Sequence, residues 1–392
     1  MTLSLREDKN MAYTITVSDG NKAGAIRKFA ESLFESNDIH GALVPCRQPV
    51  KNRIMPTLVA DREHLNAFAP ISPVFPMNAA RMVARLTRKS TGKTIAAFLR
   101  PCELRAFVEL VKLKQGGTND VILIGMDCPG AFINRDADRF MNEHGDNALE
   151  LFSEKTKDGP WKSENGYELM ASCRICEHPV AEACDIHIGF MGTGGSIMVH
   201  PKSGKGEKLL AVTRDGMAVS AEELIKKRSL FLDDLIRGNT SERDAVFEKT
   251  EKLVGGIEKL SDYLSGCVNC YNCRVACPVC YCRECVFVTD VFEHEPSRYL
   301  KWAERKGALK MPSDTVFYHI TRTAHMSTAC VGCGQCSNAC PNDIPVMELF
   351  RYTAHAVQNA FGYEAGRDLD EKPPLSEFRE NEFSEIVGIH AA

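Results

Sequence analysis

Seventeen cysteines stand in this chain of 392 residues, and eleven of them fall between Cys267 and Cys340. Cys267, Cys270, Cys273 and Cys277 followed by Pro278 read C-x2-C-x2-C-x3-C-P, and Cys330, Cys333, Cys336 and Cys340 followed by Pro341 repeat it. Three thiolates three residues apart wrap one face of a 4Fe-4S cube, whereas the fourth, before proline, turns away to ligate the other cluster. The doubled motif therefore predicts crossed ligation, with Cys267, Cys270, Cys273 and Cys340 on one cube and Cys330, Cys333, Cys336 and Cys277 on the second. Zinc ribbons use two separated C-x2-C pairs and have no use for the third, equally spaced thiol. Cys280, Cys282 and Cys285 fall outside the pattern: they could help hold a further cluster, for which no fourth protein ligand is evident, or serve packing and cluster shielding, and they receive no assignment.

A second group of thiols depends on the elements that carry it. "TIAAFL" reads as a buried strand, "ELRAFVELVKL" as a helix and "DVILIGM" as another buried strand, a βαβ unit whose strands run parallel in one sheet. Cys102 and Cys128 then lie at carboxyl strand ends, the edge where α/β folds bind ligands. With Cys173 and Cys176 of "CRIC" they make four thiols able to converge on a third cluster. Spacing alone leaves that reading level with four unrelated buried cysteines.

The remaining elements follow from periodicity. "AGAIRKFAESLFES" is helical, "GALVPC" and "PTLVAD" are strand-like, and "GSIMVH" and "KLLAVT" around "PKSGKGE" predict a hairpin exposed at its tip. From Ala221 to about Leu253 the pattern is helical, with a capping box at Ser241, and Gly255 and Gly256 mark a boundary. Between and after the cysteine motifs, "EPSRYLKWAERKGAL", "SDTVFYHITRTAHMS" and "VMELFRYTAHAVQNAFGY" all carry helical spacing. This resembles the α-helical dicluster domain of heterodisulfide reductase small subunits and succinate dehydrogenase iron-sulfur subunits. His319 and His325, six residues apart, do not share a helix face and read as core or surface histidines.

Composition narrows the function. A net charge of −4 supplies no basic field for nucleic acid. The longest apolar stretches, such as "VILIGM", fall short of the roughly 20 residues that span a bilayer, so no direct membrane insertion is expected. The opening "MTLSLREDKNMAYTITVSDG" lacks a basic start and apolar core, and the expectation is a cytoplasmic protein whose cysteines stay reduced for metal.

"LRPCELRAF", "IGMDCPGAF" and "CRICEHPVAEACDIHIGFMG" resemble the core motifs of the coenzyme F420-reducing hydrogenase/dehydrogenase beta-subunit family, over roughly residues 20 to 250. The fused dicluster region and the closing "GYEAGRDLDEKPPLSEF" make the chain more similar to the formate dehydrogenase beta branch. The resemblance implies a flavin, FAD, beside a 4Fe-4S cluster on Cys102, Cys128, Cys173 and Cys176, three 4Fe-4S clusters in all. It implies electron transfer between a formate dehydrogenase or hydrogenase catalytic subunit and a soluble two-electron carrier, coenzyme F420 or a similar acceptor, or a heterodisulfide-reductase-like module. The alternative is a non-catalytic iron-sulfur relay without flavin turnover. Where archaeal deazaflavin users carry a Ser-Gly-Gly turn, this chain reads "NKAGAIRKF" and keeps Gly24.

Clusters move single electrons, so service to a hydride carrier needs a flavin between them. A flavin phosphate needs backbone amides and positive charge. "DGNKAG" with Lys22 and Gly24, and "GTGG" with Gly192, Gly194 and Gly195, offer the turns; Arg81 and Arg100 offer charge, and Asn78 completes the candidate set. The expected architecture is an α/β flavin and iron-sulfur domain (1–255), a mainly α-helical ferredoxin-like dicluster domain (256–363) and an extended acidic docking tail (364–392). From Glu364 to Glu385 that tail carries eight acidic residues against three basic ones.

Overall fold

The computed structural model describes residues 11–377, apart from 37, 51, 52 and 215. β1 (Tyr13–Thr16) leads through an Asn21-capped turn into α1 (Lys22–Leu33), and β2 (Ile39–Arg47) and β3 (Ile54–Val59) pair antiparallel. α2 (Ala80–Thr87), β4 (Thr94–Leu99), α3 (Pro101–Lys112) and β5 (Val121–Met126) follow, then α4 (Asn134–His144), α5 (Ala148–Lys155) and the one-turn α6 (Ala171–Arg174). β6 (Ile186–Gly189), β7 (Ser196–Pro201), α7 (Gly204–Thr213) and the short β8 (Ala218–Val219) complete the sheet. Among the described residues it has eight strands in the order β3-β2-β4-β5-β6-β7-β1-β8.

The middle of that sheet, β2 to β4 to β5 to β6, is parallel, and its flanks are antiparallel. All of Val121–Met126 is buried, as a continuous apolar run requires when both faces are covered. One face packs on an aromatic group in which the Phe132 ring meets Phe140, Phe152 and Trp161 edge-on at 5.4, 5.6 and 5.2 Å. The other face, including Leu43, Ala97, Leu99 and Leu123, shares its core with Leu264, Val279, Val331 and Phe350 from beyond the diglycine. The chain changes character at that point while the apolar core runs across it.

The rest is helical: α8 (Glu222–Val254), α9 (Ile257–Tyr263), α10 (Asn272–Ala276), α11 (Pro296–Lys306), α12 (Thr315–Met326), α13 (Gln335–Asn338) and α14 (Val346–Ala360), with short 3-10 turns. α8 ends at Gly255, and Gly256 reverses the chain with φ +109°. Among the described residues no strand occurs after β8, and no helix is long and apolar enough to cross a membrane.

Two local expectations are corrected. The stretch after β7 is α7 rather than the second arm of a hairpin, because Ser203 caps it by accepting the Gly206 amide at 3.2 Å and Leu209 and Leu210 bury on one side. Ser241 lies inside α8 and caps nothing. That helix runs on because its later turns bury Phe247 and Thr250, Phe247 against Met347 of α14.

Candidate metal centres

The sheet-edge thiols meet in one cavity. Cys102 is in the first turn of α3, Cys128 follows β5, and Cys173 and Cys176 lie on and just after α6. All four line one cavity together with Arg100, Arg105, His178 and Cys333. Glu103 sets the start of α3 by accepting the Arg100 and Ala79 amides, each at 2.9 Å. The Cys128 amide donates to Pro179 O at 2.9 Å, and Asn239 of α8 holds Cys176 O at 2.7 Å.

Behind Cys128 sits an anchor that the motifs gave no sign of. Asp127, fully buried, accepts both terminal nitrogens of Arg228 at 2.8 Å, His187 Nε2 at 3.0 Å and the Phe190 and Met191 amides at 2.8 and 2.9 Å. Burial alone raises its carboxyl pKa, yet the Arg228 guanidinium and these hydrogen bonds hold it well below the usual carboxylate range. Arg228 belongs to α8, so one helix ties the end of β5 to the turn after β6.

The C-terminal motifs give two further groupings. Cys267, Cys270, Cys273 and Cys340 line one cavity with Tyr318 and His319. Cys277 stands with Cys330, Cys333 and Cys336, near enough that each charged neighbour opposes ionisation of the next. Cys333 also borders the sheet-edge cavity and raises the pKa of Cys102. Cys270 is exposed and Cys273 buried. Of the unassigned thiols, Cys280 packs beside Cys277, Cys282 is exposed, and Cys285 lies against Phe287 and Tyr318. Cys46 is buried in β2 and Cys184 against Gly125, their thiols pushed by burial up to about 11 and about 12.

The donor chemistry fits a metal cluster. Burial drives the Cys102 and Cys336 thiols well above their ordinary pKa and Cys173 up to about 12. Thiols so buried ionise only with nearby positive charge, which iron and arginines supply. Arg100 and Arg105 face the sheet-edge set, while Arg322, Arg351 and Arg105 favour the Cys330 thiolate. Among the described residues no three Cys, His, Asp or Glu side chains are arranged to hold a single metal ion. The sheet-edge set and the Cys267 set instead line cavities, as ligands to the corners of a cube would.

The flavin candidates divide among three places. Lys22 is buried and its ammonium donates to Phe190 O at 2.6 Å and Lys157 O at 3.0 Å, close to the Gly192–Gly195 turn, where Gly195 O accepts the Val17 amide. That ammonium is spent on protein carbonyls, and desolvation lowers its pKa. Gly24 donates to the Asn21 cap at 2.7 Å. Asn78 donates to Cys102 O at 3.4 Å, and Arg100 to Ser72 O and Val74 O at 2.9 and 3.0 Å, which puts both beside the thiols. Arg81 reaches the other way, to Val275 O at 3.0 Å.

Neighbouring cavities lie between the first two places. The thiol cavity shares Phe75 and Arg100 with one under the ends of β2, β4 and β5. That one shares Pro70 with a wide groove, lined also by Asp19, Gly20, Asn21 and Arg27 where α1 begins.

Residues 325–346 match a 4Fe-4S binding domain, which spans the second cysteine motif. The chain is 27% identical over 376 residues to the F420-dependent formate dehydrogenase subunit beta of Methanocaldococcus jannaschii, covering 90% of this chain and 93% of that one. It is 26% identical over 400 residues to the F420-dependent formate dehydrogenase 1 subunit beta of Methanococcus maripaludis, covering 93% and 97%. The family resemblance is to formate dehydrogenase beta subunits. The likeness spans both the sheet and the helical region of this chain. A chain of the F420-reducing [NiFe] hydrogenase complex from Methanosarcina barkeri matches in structure with TM-score 0.46 and 17% identity, over 63% of this chain and 94% of that one.

Sequence reasoning passed over Arg228, Asp127, Tyr318 and Arg322. Arg322 had a signal: it shares a helix face with Thr315, Tyr318 and His319, and a cation on the buried stripe of an amphipathic helix needs a partner.

Proposed function

We propose that this oxidoreductase subunit is the flavin- and iron-sulfur-carrying beta subunit of a formate dehydrogenase or hydrogenase complex. It passes electrons between the catalytic subunit and a soluble two-electron carrier of the deazaflavin class, or a heterodisulfide-reductase-like module. The observation that carries this reading is a series of neighbouring cavities, with Pro70, Phe75 and Arg100 as shared walls, between the start of α1 and a thiol set that borders Cys333. FAD supplies the exchange between hydride and single electrons, and three 4Fe-4S clusters supply single-electron steps.

The protein's own groups account for the rest. The start of α1 and Arg27 border the wide groove, where a flavin's phosphates would lie, and Asp19, Asp146, Glu150 and Glu154 line it too. Arg100, fixed by two carbonyls and stacked 4.8 Å over the Phe75 ring, holds positive charge at the narrow end. Cys102, Cys128, Cys173 and Cys176 bind the first cluster, Cys277, Cys330, Cys333 and Cys336 the second, and Cys267, Cys270, Cys273 and Cys340 the third. The exposure of Cys270 makes the last the outlet to a protein partner.

Anaerobic purification with flavin, iron and sulfide analysis tests this: one FAD and about twelve iron and twelve sulfide per chain are expected. A flavin-free preparation passing electrons at full rate to its natural acceptor would leave an iron-sulfur relay.

A further inference from the structure

α12 turns one face to a single thiol set. Tyr318 OH lies 3.5 Å from Cys273 Sγ, His319 Nε2 lies 3.4 Å from Cys267 Sγ, and Arg322 Nη1 donates to Cys273 Sγ at 3.0 Å while Nη2 donates to Cys273 O at 3.2 Å. Arg322 is 4% exposed, with its guanidinium 4.7 Å from the Phe350 ring and 5.6 Å from that of Tyr318. Among the described residues no carboxylate pairs with it, and its Nε has no hydrogen-bond partner. A buried cation so placed is costly unless negative charge stands against it. The groups that can supply that charge are sulfurs: Cys273 in contact, Cys336 packed on the same apolar cluster, and Cys277 close enough to feel the guanidinium. Cys273 belongs to one crossed set and Cys277 and Cys336 to the other.

We propose that Arg322, supported by Tyr318, is a positioning residue that raises the midpoint potentials of both C-terminal clusters, most of all that on Cys267, Cys270, Cys273 and Cys340. The inference rests on the cluster ligation proposed above. A cube with four thiolates is anionic and gains one more negative charge when it takes up an electron. Donors to sulfur and a fixed buried cation therefore favour the reduced form. The sheet-edge set differs, since Arg100 donates to the Ser72 and Val74 carbonyls and Arg105 to that of Ala365 rather than to a sulfur. The Cys267 set thus becomes an electron sink at the exposed end.

The test is an EPR-monitored redox titration of the full chain, purified anaerobically, with the Cys267 signal identified by its loss in Cys270→Ser. Arg322→Gln is expected to lower that midpoint by a tenfold change in the one-electron equilibrium, about 59 mV. Arg322→Lys, which keeps the charge and loses the planar fork, should lower it less, Tyr318→Phe less again, and the Cys102 cluster should not move. An unchanged midpoint in Arg322→Gln at full iron content overturns the inference. If Arg322→Gln loses the cluster, a lowered midpoint in Arg322→Lys or Tyr318→Phe supports it, and unchanged midpoints in both overturn it. Unmodified protein without a cluster on these cysteines overturns the ligation itself, and this inference with it.

Discussion

The sheet-edge thiols and the C-terminal thiols solve one problem in different ways. Cys102, Cys128, Cys173 and Cys176 come from three separate segments, and what holds them in register is remote: the Asp127–Arg228 pair, the Glu103 cap and Asn239 of α8. In the C-terminal region three thiols of each set arrive on one short segment, and compensation comes by contact, with Arg322 on Cys273 sulfur. A site assembled by the fold is as stable as its anchors. A site written into local spacing needs few of them.

The largest expected effect breaks the distant anchor. Arg228→Met leaves Asp127 buried without its guanidinium partner, which should cost about 3–5 kcal/mol in chemical denaturation. The damage should be regional, with iron falling from about twelve toward about eight per chain while the C-terminal EPR signals persist. Uniform loss of iron would mean that the two regions do not load separately. A narrower cut is Cys173→Ser, which should remove about four iron per chain with a smaller change in stability. Iron content equal to that of the unmodified protein would take Cys173 out of the ligand set.

Legibility follows the same division. The two cysteine motifs, the separate elements β4, α3 and β5 and the helices between the motifs were readable because each is set by patterns within about a dozen residues. The grouping of Cys102 with Cys128, Cys173 and Cys176 needed the family resemblance, since chain spacing does not say which carboxyl strand ends are neighbours. Lys22 and Gly24 lie at the opening of α1, and the destination of the Lys22 ammonium, at the Phe190 carbonyl after β6, depends on a turn 168 residues away. The hairpin around "PKSGKGE" failed for a local reason: Ser203 followed three residues later by Gly206 is a helix start, and the Lys and Gly content outweighed it. Most of the acidic tail, 378–392, lies outside the described residues.

The part of the tail next to α14 behaves as a clamp. Tyr363 OH donates to Glu109 Oε1 at 2.6 Å, the Gly366 amide donates to the same oxygen at 2.7 Å, and Arg105 Nε donates to Ala365 O at 3.0 Å. Gly366 has φ +77°, and a Cβ there would stand 2.5 Å from Arg105 Cα, so the position is closed to other residues. Gly366→Ala should cost about 1–3 kcal/mol through strain, and Tyr363→Phe about 1–2 kcal/mol through a lost buried bond to a carboxylate. Both should loosen Arg105 at the thiol cavity. Unchanged denaturation midpoints would show that the clamp is decorative.

The smallest effect probes the anchor through pH. His187 is buried against Asp127, and desolvation outweighs the pull of that carboxylate, so its pKa is lowered from the usual histidine value. In the folded protein His187 therefore stays neutral at pH values where the unfolded chain, with an ordinary histidine pKa of about 6.5, takes up a proton. The stability this contributes is complete above about pH 6.5 and is lost as pH falls from there toward the folded value. His178 and His355, also lowered by burial, act in the same direction, so the whole chain should lose stability on mild acidification. His187→Gln keeps a donor for Asp127 and removes one titrating group, which should flatten the dependence between pH 7.5 and 5.5 by up to about one proton. Urea midpoints across that range measure it, and an undiminished slope in the variant would show that the anchor's histidine does not titrate with folding.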